Sequence, residues 1–549
     1  MDVLDDLQTH EVVNQSVPFV GRDWYATDVA LVAATEREGG GWARDELIEL
    51  GRFAGSDTAI EWGRLANEHP PVLKTHDRFG KRIDTAEYHP AYHQLMDQAI
   101  ASGVHAGPWS QSEPGAHVVR AAKFVVWYQV DAGHCCPISM TYSAVPALRH
   151  APDVATVWEP KLTSDRYDGT LRPMGDKPGA LCGMAMTEKQ GGSDVRANQS
   201  TAQPVDGGRD GYILTGHKWF CSAPMSDAFL MLAQAPGGLS CFLVPRFTPD
   251  GDVNPLRFQR LKDKLGDRSN ASAELEFAGV HGQLVGEEGL GVRTIIEMVN
   301  HTRLDCVLGS TAIMRQGTVQ AIHHARHRQT FGRVLVDHPL MANVLADLAL
   351  EAEAATVAAL RLARCHDPGL VDEHDLALRR IATPVLKYWT CKRAPQHAAE
   401  ALECLGGNGF VEESFMPRLF RQSPVNGIWE GSGNVICLDV LRAMARSADS
   451  VDAFLVELDQ AAGANHHLDN AIRELRSELD APAAVEHNAR RIVELMATAL
   501  CASLLVRHSP EPVADAYCAS RLGTRSGVFG TLPSDAELST IIERSLIPA

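Results

Sequence analysis

The stretch Ala185–Ala197, AMTEKQGGSDVRA, places two hydroxyls, Thr187 and Ser193, around the paired glycines Gly191 and Gly192. Small residues let a ligand come close to the backbone, and N–H groups freed there donate to carbonyls or phosphates. A polar turn between two strands uses the same residues, and chemistry alone leaves both readings open. The neighbouring texture is more decisive. From about residue 181 to 290 come GYILTGHKWFCS, DAFLMLAQA and LSCFLVPRF, short apolar runs separated by Gly, Pro and Asp clusters. That pattern predicts antiparallel strands.

On either side the period changes to that of helices. Residues 1–180 carry runs such as ATDVALVAATEREG and HVVRAAKFVVWYQVDAG, broken by Pro and Gly loops. After Gly291 the helical periods lengthen, enough for a helical bundle over 291–447, and 448–549 is a further helix-rich segment. The expected fold is mainly α with a central antiparallel β-domain and an added C-terminal helical domain. The expected domains are therefore 1–180, 181–290, 291–447 and 448–549.

With 549 residues, 45% apolar and 22% charged, the chain reads as a soluble protein of several domains. The net charge of −18 argues against a surface coated in basic residues, but it does not exclude a local stripe. Twelve cysteines include no C-x-x-C pair, and their spacing matches neither a disulfide framework nor a zinc site. The polar start MDVLDDLQTHEVVNQ is no signal peptide, and no apolar run is long enough to span a bilayer. A cytoplasmic, reduced setting is the expectation.

Other segments offer chemistry. In GHKWFCSAP, Trp219, Phe220 and Ser222 could stack on and hydrogen-bond a flat ring, or simply pack a strand. In ARHRQTFGRVL, Arg328 closes a helical pattern, where it meets either the carbonyl end of the dipole or a phosphate, with Phe331 close behind. Gly406, Gly407 and Gly409 end another helix and allow close backbone approach. No dinucleotide or P-loop glycine signature occurs. His323, His324 and His327 share helical spacing, but flanking Arg326 and Arg328 favour a solvated face, so no metal is expected. In NGIWEGSGNVICLDVLR, Glu430 stands between Trp429 and a glycine. It reads as a surface turn, a helix-start carboxylate or a base.

Together these segments resemble the acyl-CoA dehydrogenase flavoprotein family. Ala185–Ala197 satisfies that family's T-E-x-x-G/A-G-S-D pattern, and Glu403–Arg418 satisfies a second, failing only at its final acidic position, where Gln422 stands. Within the family, DRFGKRIDTAEYHPAYHQLM, CCPISMTYSAVPAL, LKDKLGDRSNAS and the Glu430 segment resemble the AidB branch. The resemblance implies FAD between the β-domain and the bundle. Met186, Thr187, Gly192 and Ser193 would line the flavin, and Trp219, Phe220 and Ser222 would face its ring. Gly406, Gly407, Ile428, Trp429, Ser432 and Asn434 would lie close by, while Arg328 and Phe331 would reach the FAD of a neighbouring subunit in a homotetramer.

It also implies a role for Glu430: removal of the α-proton of a thioester while the β-hydride goes to flavin. The alternative family base precedes an arginine on the first bundle helix, and there Thr302 precedes Arg303, leaving Glu430 alone. The branch is associated with the response to DNA alkylation. The resemblance therefore implies binding of double-stranded DNA, protecting it or inactivating alkylating agents, with weak isovaleryl-CoA-like dehydrogenase capacity. Arg442 and Arg525 match arginines of the branch proposed to meet DNA, and Arg446 lies one turn beyond Arg442. Against this, residues 451–549 carry eight arginines, no lysine and fourteen acids, a net of −6. The alternative is a metabolic dehydrogenase of short or branched acyl-CoA with no DNA role. A third possibility is a scaffold in which FAD is structural.

Overall fold

The computed structural model describes residues 9–111, 113–208, 211–479 and 485–546; the first eight residues of the polar start lie outside them. Helices open the chain where local chemistry starts them. Asp28 caps Val29–Thr35 by accepting from the Leu31 amide, and Ser56 caps Asp57–Glu68 through the Ala59 amide. The helix Ala116–Tyr128 is buried on every side; its apolar residues fill the core, and its buried Arg120 and Lys123 are hydrogen-bonded to backbone carbonyls and carboxylates.

The N-terminal region is not all helix. Val72–His76 (β1) and Arg82–Glu87 (β2) form an antiparallel hairpin, which the helical reading of residues 1–180 did not anticipate. Burial alternates along RIDTAE, with Asp84 and Ala86 buried and Arg82 and Glu87 exposed, but its apolar residues Ile83 and Ala86 do not.

The central strands are Cys182–Ala185 (β3), Thr201–Pro204 (β4), Tyr212–Ser222 (β5), Ala228–Ala235 (β6), Gly238–Pro245 (β7), Leu256–Leu261 (β8) and Ser272–Val285 (β9). They make one sheet in the order β3-β6-β4-β5-β9-β7, with β8 on β9, and β7 pairs back to β6. The strands thus curl into a ring around Leu214, Phe229, Phe242 and Phe258. Most pairings are antiparallel as expected, but β3 and β4 each meet β6 in parallel.

The bundle helices are Gly291–His327, Pro339–Arg364, Glu373–Cys404 and Gly433–Arg446. The C-terminal helices, including Ala448–Asp459 and Val485–His508, pack into the same hydrophobic core as the bundle and the N-terminal helices. Buried charge ties these layers together. Arg120 grips Asp305 of the first bundle helix with two hydrogen bonds, and Arg521 joins Asp347 to Glu351. No described helix is long and apolar enough to cross a membrane. All twelve cysteines are buried and free.

Candidate active site

The TEKQGGSD segment is held by its glutamate. Glu188, fully buried, accepts from the backbone amides of Gln199 (2.7 Å) and Ser200 (3.2 Å), from Gln190 and from the Lys218 ammonium at 2.9 Å. Burial alone pushes this carboxyl up; the Gln199 amide and Lys218 overcome it and hold it at about 2. The loop is thereby folded back on β5, where the Trp219 amide donates to the Thr187 carbonyl (2.8 Å). Gly192 lies against Thr187 so closely that a Cβ there would come within 2.5 Å of its Oγ1. Ser193 is exposed and Met186 half-buried. Thr187, Gly192 and Ser193 therefore share one tight turn whose Gly192–Ser193 edge is exposed.

At the end of β5, Phe220 is exposed and Trp219 carries the Lys262 ammonium 3.2 Å from its ring centroid. The Ser222 hydroxyl lies 3.1 Å from that of Ser272, and Ser222 also hydrogen-bonds the Cys136 thiol, which in turn feels the charge of Glu430. Met186 and Trp429 pack against one shared apolar cluster with Cys136, Met140 and Met298. Three segments far apart in sequence therefore meet.

The Glu430 turn is built by cations from two bundle helices. Lys387 donates to the carbonyls of Trp429 (2.9 Å) and Gly431 (2.5 Å), and Arg303 donates to that of Glu430 (3.0 Å). Arg303 is itself fixed by Asp439 at 2.7 Å. Glu430 has φ +57°, a left-handed conformation disfavoured for a side-chain residue and held by those bonds. Its Oε2 is buried without a hydrogen-bond partner. Burial raises its pKa, opposed by the Thr302 hydroxyl and by the charges of Arg303 and Lys387. The surface-turn reading of this residue fails: the carboxyl points inward. Nor does it cap a helix, since Ser432, not Glu430, occupies the N-cap of Gly433–Arg446.

Other sequence candidates fall elsewhere. Arg328 donates to the Asn14 carbonyl (2.7 Å), not to its helix end. Phe331, 98% exposed, tips the hairpin of Gln329–Thr330 (β10) and Arg333–Val334 (β11). Gly406, with φ +59°, and Gly407 have open space where a Cβ would sit. Ile428 and Ser432 are exposed. The side-chain carbonyl of Asn434 accepts from Arg490 (2.8 Å), so that side chain is already engaged with a C-terminal helix. Arg442 and Arg446 are exposed, and neither bonds another described residue. Arg525, with φ +55°, makes two hydrogen bonds to Glu474, an ion pair its sequence neighbourhood gave no sign of.

The expected solvated face of histidines is partly wrong: His324 is buried, and Phe19 packs on His323. No cluster able to hold a metal ion occurs among the described residues. Sequence reasoning missed Lys387, Lys218 and the structural use of Glu188. Gln422 is buried, accepting from the Asp267 amide (2.6 Å) and donating to Tyr128, which an ionised acid there could not do.

Comparison with known proteins supplies the family. Residues 14–169 match the adaptive response protein AidB N-terminal domain, 183–280 the acyl-CoA dehydrogenase middle domain and 289–445 the acyl-CoA dehydrogenase C-terminal domain. The putative acyl-CoA dehydrogenase AidB of Escherichia coli (strain K12) is 46% identical over 523 residues, 95% of this chain and 96% of that protein. The crystal structure of Caenorhabditis elegans ACDH-11 in complex with C11-CoA superposes with TM-score 0.84 at 26% identity, covering 94% of each chain. A Bacillus anthracis acyl-CoA dehydrogenase complexed with FAD shares the fold, with TM-score 0.65 at 17% identity over 83% of this chain and 86% of that one. On these matches and its motifs, the chain belongs to the acyl-CoA dehydrogenase family, in the AidB branch.

Proposed function

We propose that the chain is a FAD-containing dehydrogenase of acyl-CoA thioesters, of the short or branched, isovaleryl-CoA-like kind, with Glu430 as its base. The observation that carries this is the inward, unpartnered Oε2 of Glu430 on a turn clamped by Lys387 and Arg303. A carboxylate in water is too weak a base for an α-proton; desolvation makes it stronger. The residues fit FAD, the family's cofactor. Gly191, Gly192 and Ser193 are exposed, leaving the loop backbone open to a ligand, and the Trp219 amide bond to the Thr187 carbonyl ties this loop to the strand that carries exposed Phe220. FAD, when bound, supplies the acceptor for the hydride leaving the β-carbon. Glu430 takes the α-proton at Oε2, and Lys387 and Arg303 keep the turn in place while the charge on that carboxyl is neutralised. The fully exposed Phe331 beside Arg328 supports a second copy completing the site, as in a homotetramer.

The test is anaerobic mixing of the FAD-loaded protein with isovaleryl-CoA. Loss of the flavin's visible band in the native protein, slowed about 10²–10⁴-fold in Glu430→Gln, is expected. Equal bleaching in both would remove Glu430 from the chemistry.

A second reading, that the protein binds double-stranded DNA and protects it against alkylation or deactivates the alkylating agent, rests on the unpaired, exposed Arg442 and Arg446. They lie one turn apart on the helix Gly433–Arg446. Removing one arginine–phosphate pair lowers the logarithmic salt slope of binding by about 0.9. A slope unchanged in Arg442→Glu sinks this placement.

A further inference from the structure

The hairpin β1–β2 collects positive charge that neither reading uses. From Lys74 to Arg82, KTHDRFGKR, four cations face one carboxylate, in a chain of net charge −18. That carboxylate is consumed in building the turn: Asp77 accepts from the amides of Phe79 (2.8 Å) and Lys81 (2.9 Å). Arg78 and Lys81 are exposed and pair with no described residue. Between them Phe79 is 80% exposed, with the Arg78 guanidinium 4.4 Å from its ring centroid. The turn therefore presents an aromatic ring and two uncompensated cations together to solvent.

The hairpin is held rigidly at its turn end, where Arg82 faces His76. Arg82 pairs with buried Asp84 (2.7 Å) and donates to the Phe258 carbonyl (3.0 Å), and Asp84 accepts from the Phe258 amide (3.2 Å). The turn Asp77–Lys81 is thus held on strands packed against β8. Exposed Arg257 lies on β8 beside Phe258, the residue that anchors the hairpin near its turn.

We infer that the β1–β2 hairpin is a second DNA-contacting element, in which Arg78 and Lys81 meet phosphates and Phe79 an apolar edge in the groove. A basic turn bearing an exposed aromatic suits a polyanion with apolar base edges in its grooves. This rests on the reading that the chain binds double-stranded DNA, but it uses residues distinct from Arg442 and Arg446.

The test titrates the full FAD-loaded protein against a labelled duplex of about two helical turns at several salt concentrations. The variants are Arg78→Gln with Lys81→Gln, Phe79→Ala and Arg442→Glu. All the hairpin side chains changed are exposed, so thermal midpoint and flavin retention should match the native protein. The double variant is expected to flatten the salt slope by about 2. Phe79→Ala is expected to weaken binding about tenfold at unchanged slope, because an apolar contact releases no counterions. Native binding that the hairpin variants leave intact overturns the inference and spares the DNA reading. Weakened binding in the hairpin variants with Arg442→Glu unaffected supports the hairpin and removes the arginine helix. No native binding at low salt overturns both. Hairpin variants that lose binding to polyglutamate but keep binding to the duplex overturn the inference in favour of an acidic protein partner.

Discussion

Replacing Glu188 by glutamine tests whether the flavin loop is set by one buried ion pair. Glu188 and Lys218 are both fully buried, 2.9 Å apart, and the carboxylate also fixes the amides of Gln199 and Ser200. A glutamine side chain would keep the shape but offer one carbonyl oxygen where two carboxylate oxygens were used. Lys218 would be left buried with its charge unbalanced, its acceptors the Leu232 carbonyl (2.8 Å) and at best one neutral amide oxygen. Breaking one side of a buried pair costs about 3–5 kcal/mol. The depressed pKa gives an independent figure. A carboxyl at about 2 in the folded state against about 4.3 unfolded contributes roughly 3 kcal/mol at neutral pH, lost as pH falls through the folded value. Hydrogen exchange over residues 186–200 and gel filtration for retained FAD would read the effect. Glu188→Gln should raise exchange in that segment by two to three orders of magnitude, about 1.4 kcal/mol per decade, and shed flavin. Adding Lys218→Met should recover part of the protection by removing the stranded charge. Unchanged exchange and full flavin retention in the single variant would refute the clamp.

Because burial raises the Glu430 pKa, the folded protein binds that proton more tightly than the unfolded chain. Its contribution to stability therefore falls as pH rises from the ordinary carboxylate range through the raised value. Glu430→Gln should remove that slope in a pH series of thermal midpoints and be at least as stable as the native protein at pH 7. In the native protein, bleaching should accelerate as pH rises through the same window. Lys387→Met removes both turn bonds and should slow flavin bleaching at least tenfold, with isovaleryl-CoA binding by equilibrium dialysis changed far less. Gly192→Ala places a methyl 2.5 Å from Thr187 Oγ1 and should weaken FAD retention while circular dichroism stays native.

Segments whose chemistry is local were legible in the sequence. The TEKQGGSD loop, the aromatic end of β5 and the Glu430 turn each stand out, because ligand-approach residues are adjacent in the chain. What makes them a site was not legible. Lys218 is thirty positions from Glu188 and sits within GHKWFCS, where the Trp-Phe pair is the stronger signal. Lys387 and Arg303 reach the Glu430 turn from helices forty and more residues away, and nothing in a helical period says which lysine will turn inward. The same distance hid the pairing of Arg525 with Glu474, which weakens that arginine as a free phosphate ligand. The β1–β2 hairpin was not legible because its strands are short and its turn, HDRFGK, reads equally as a loop between helices.

The carbonyls of Trp429, Glu430 and Gly431 are all tethered to Arg303 and Lys387, which lie on two different long helices. Glu430, the base we propose, therefore moves with the relative slide of those helices, not with its own loop. A substitution several turns away, where their cores touch, can change the rate of proton transfer while every residue touching the substrate stays the same. Variation in pace among proteins of this branch should then be sought along the helix interface, well outside the pocket.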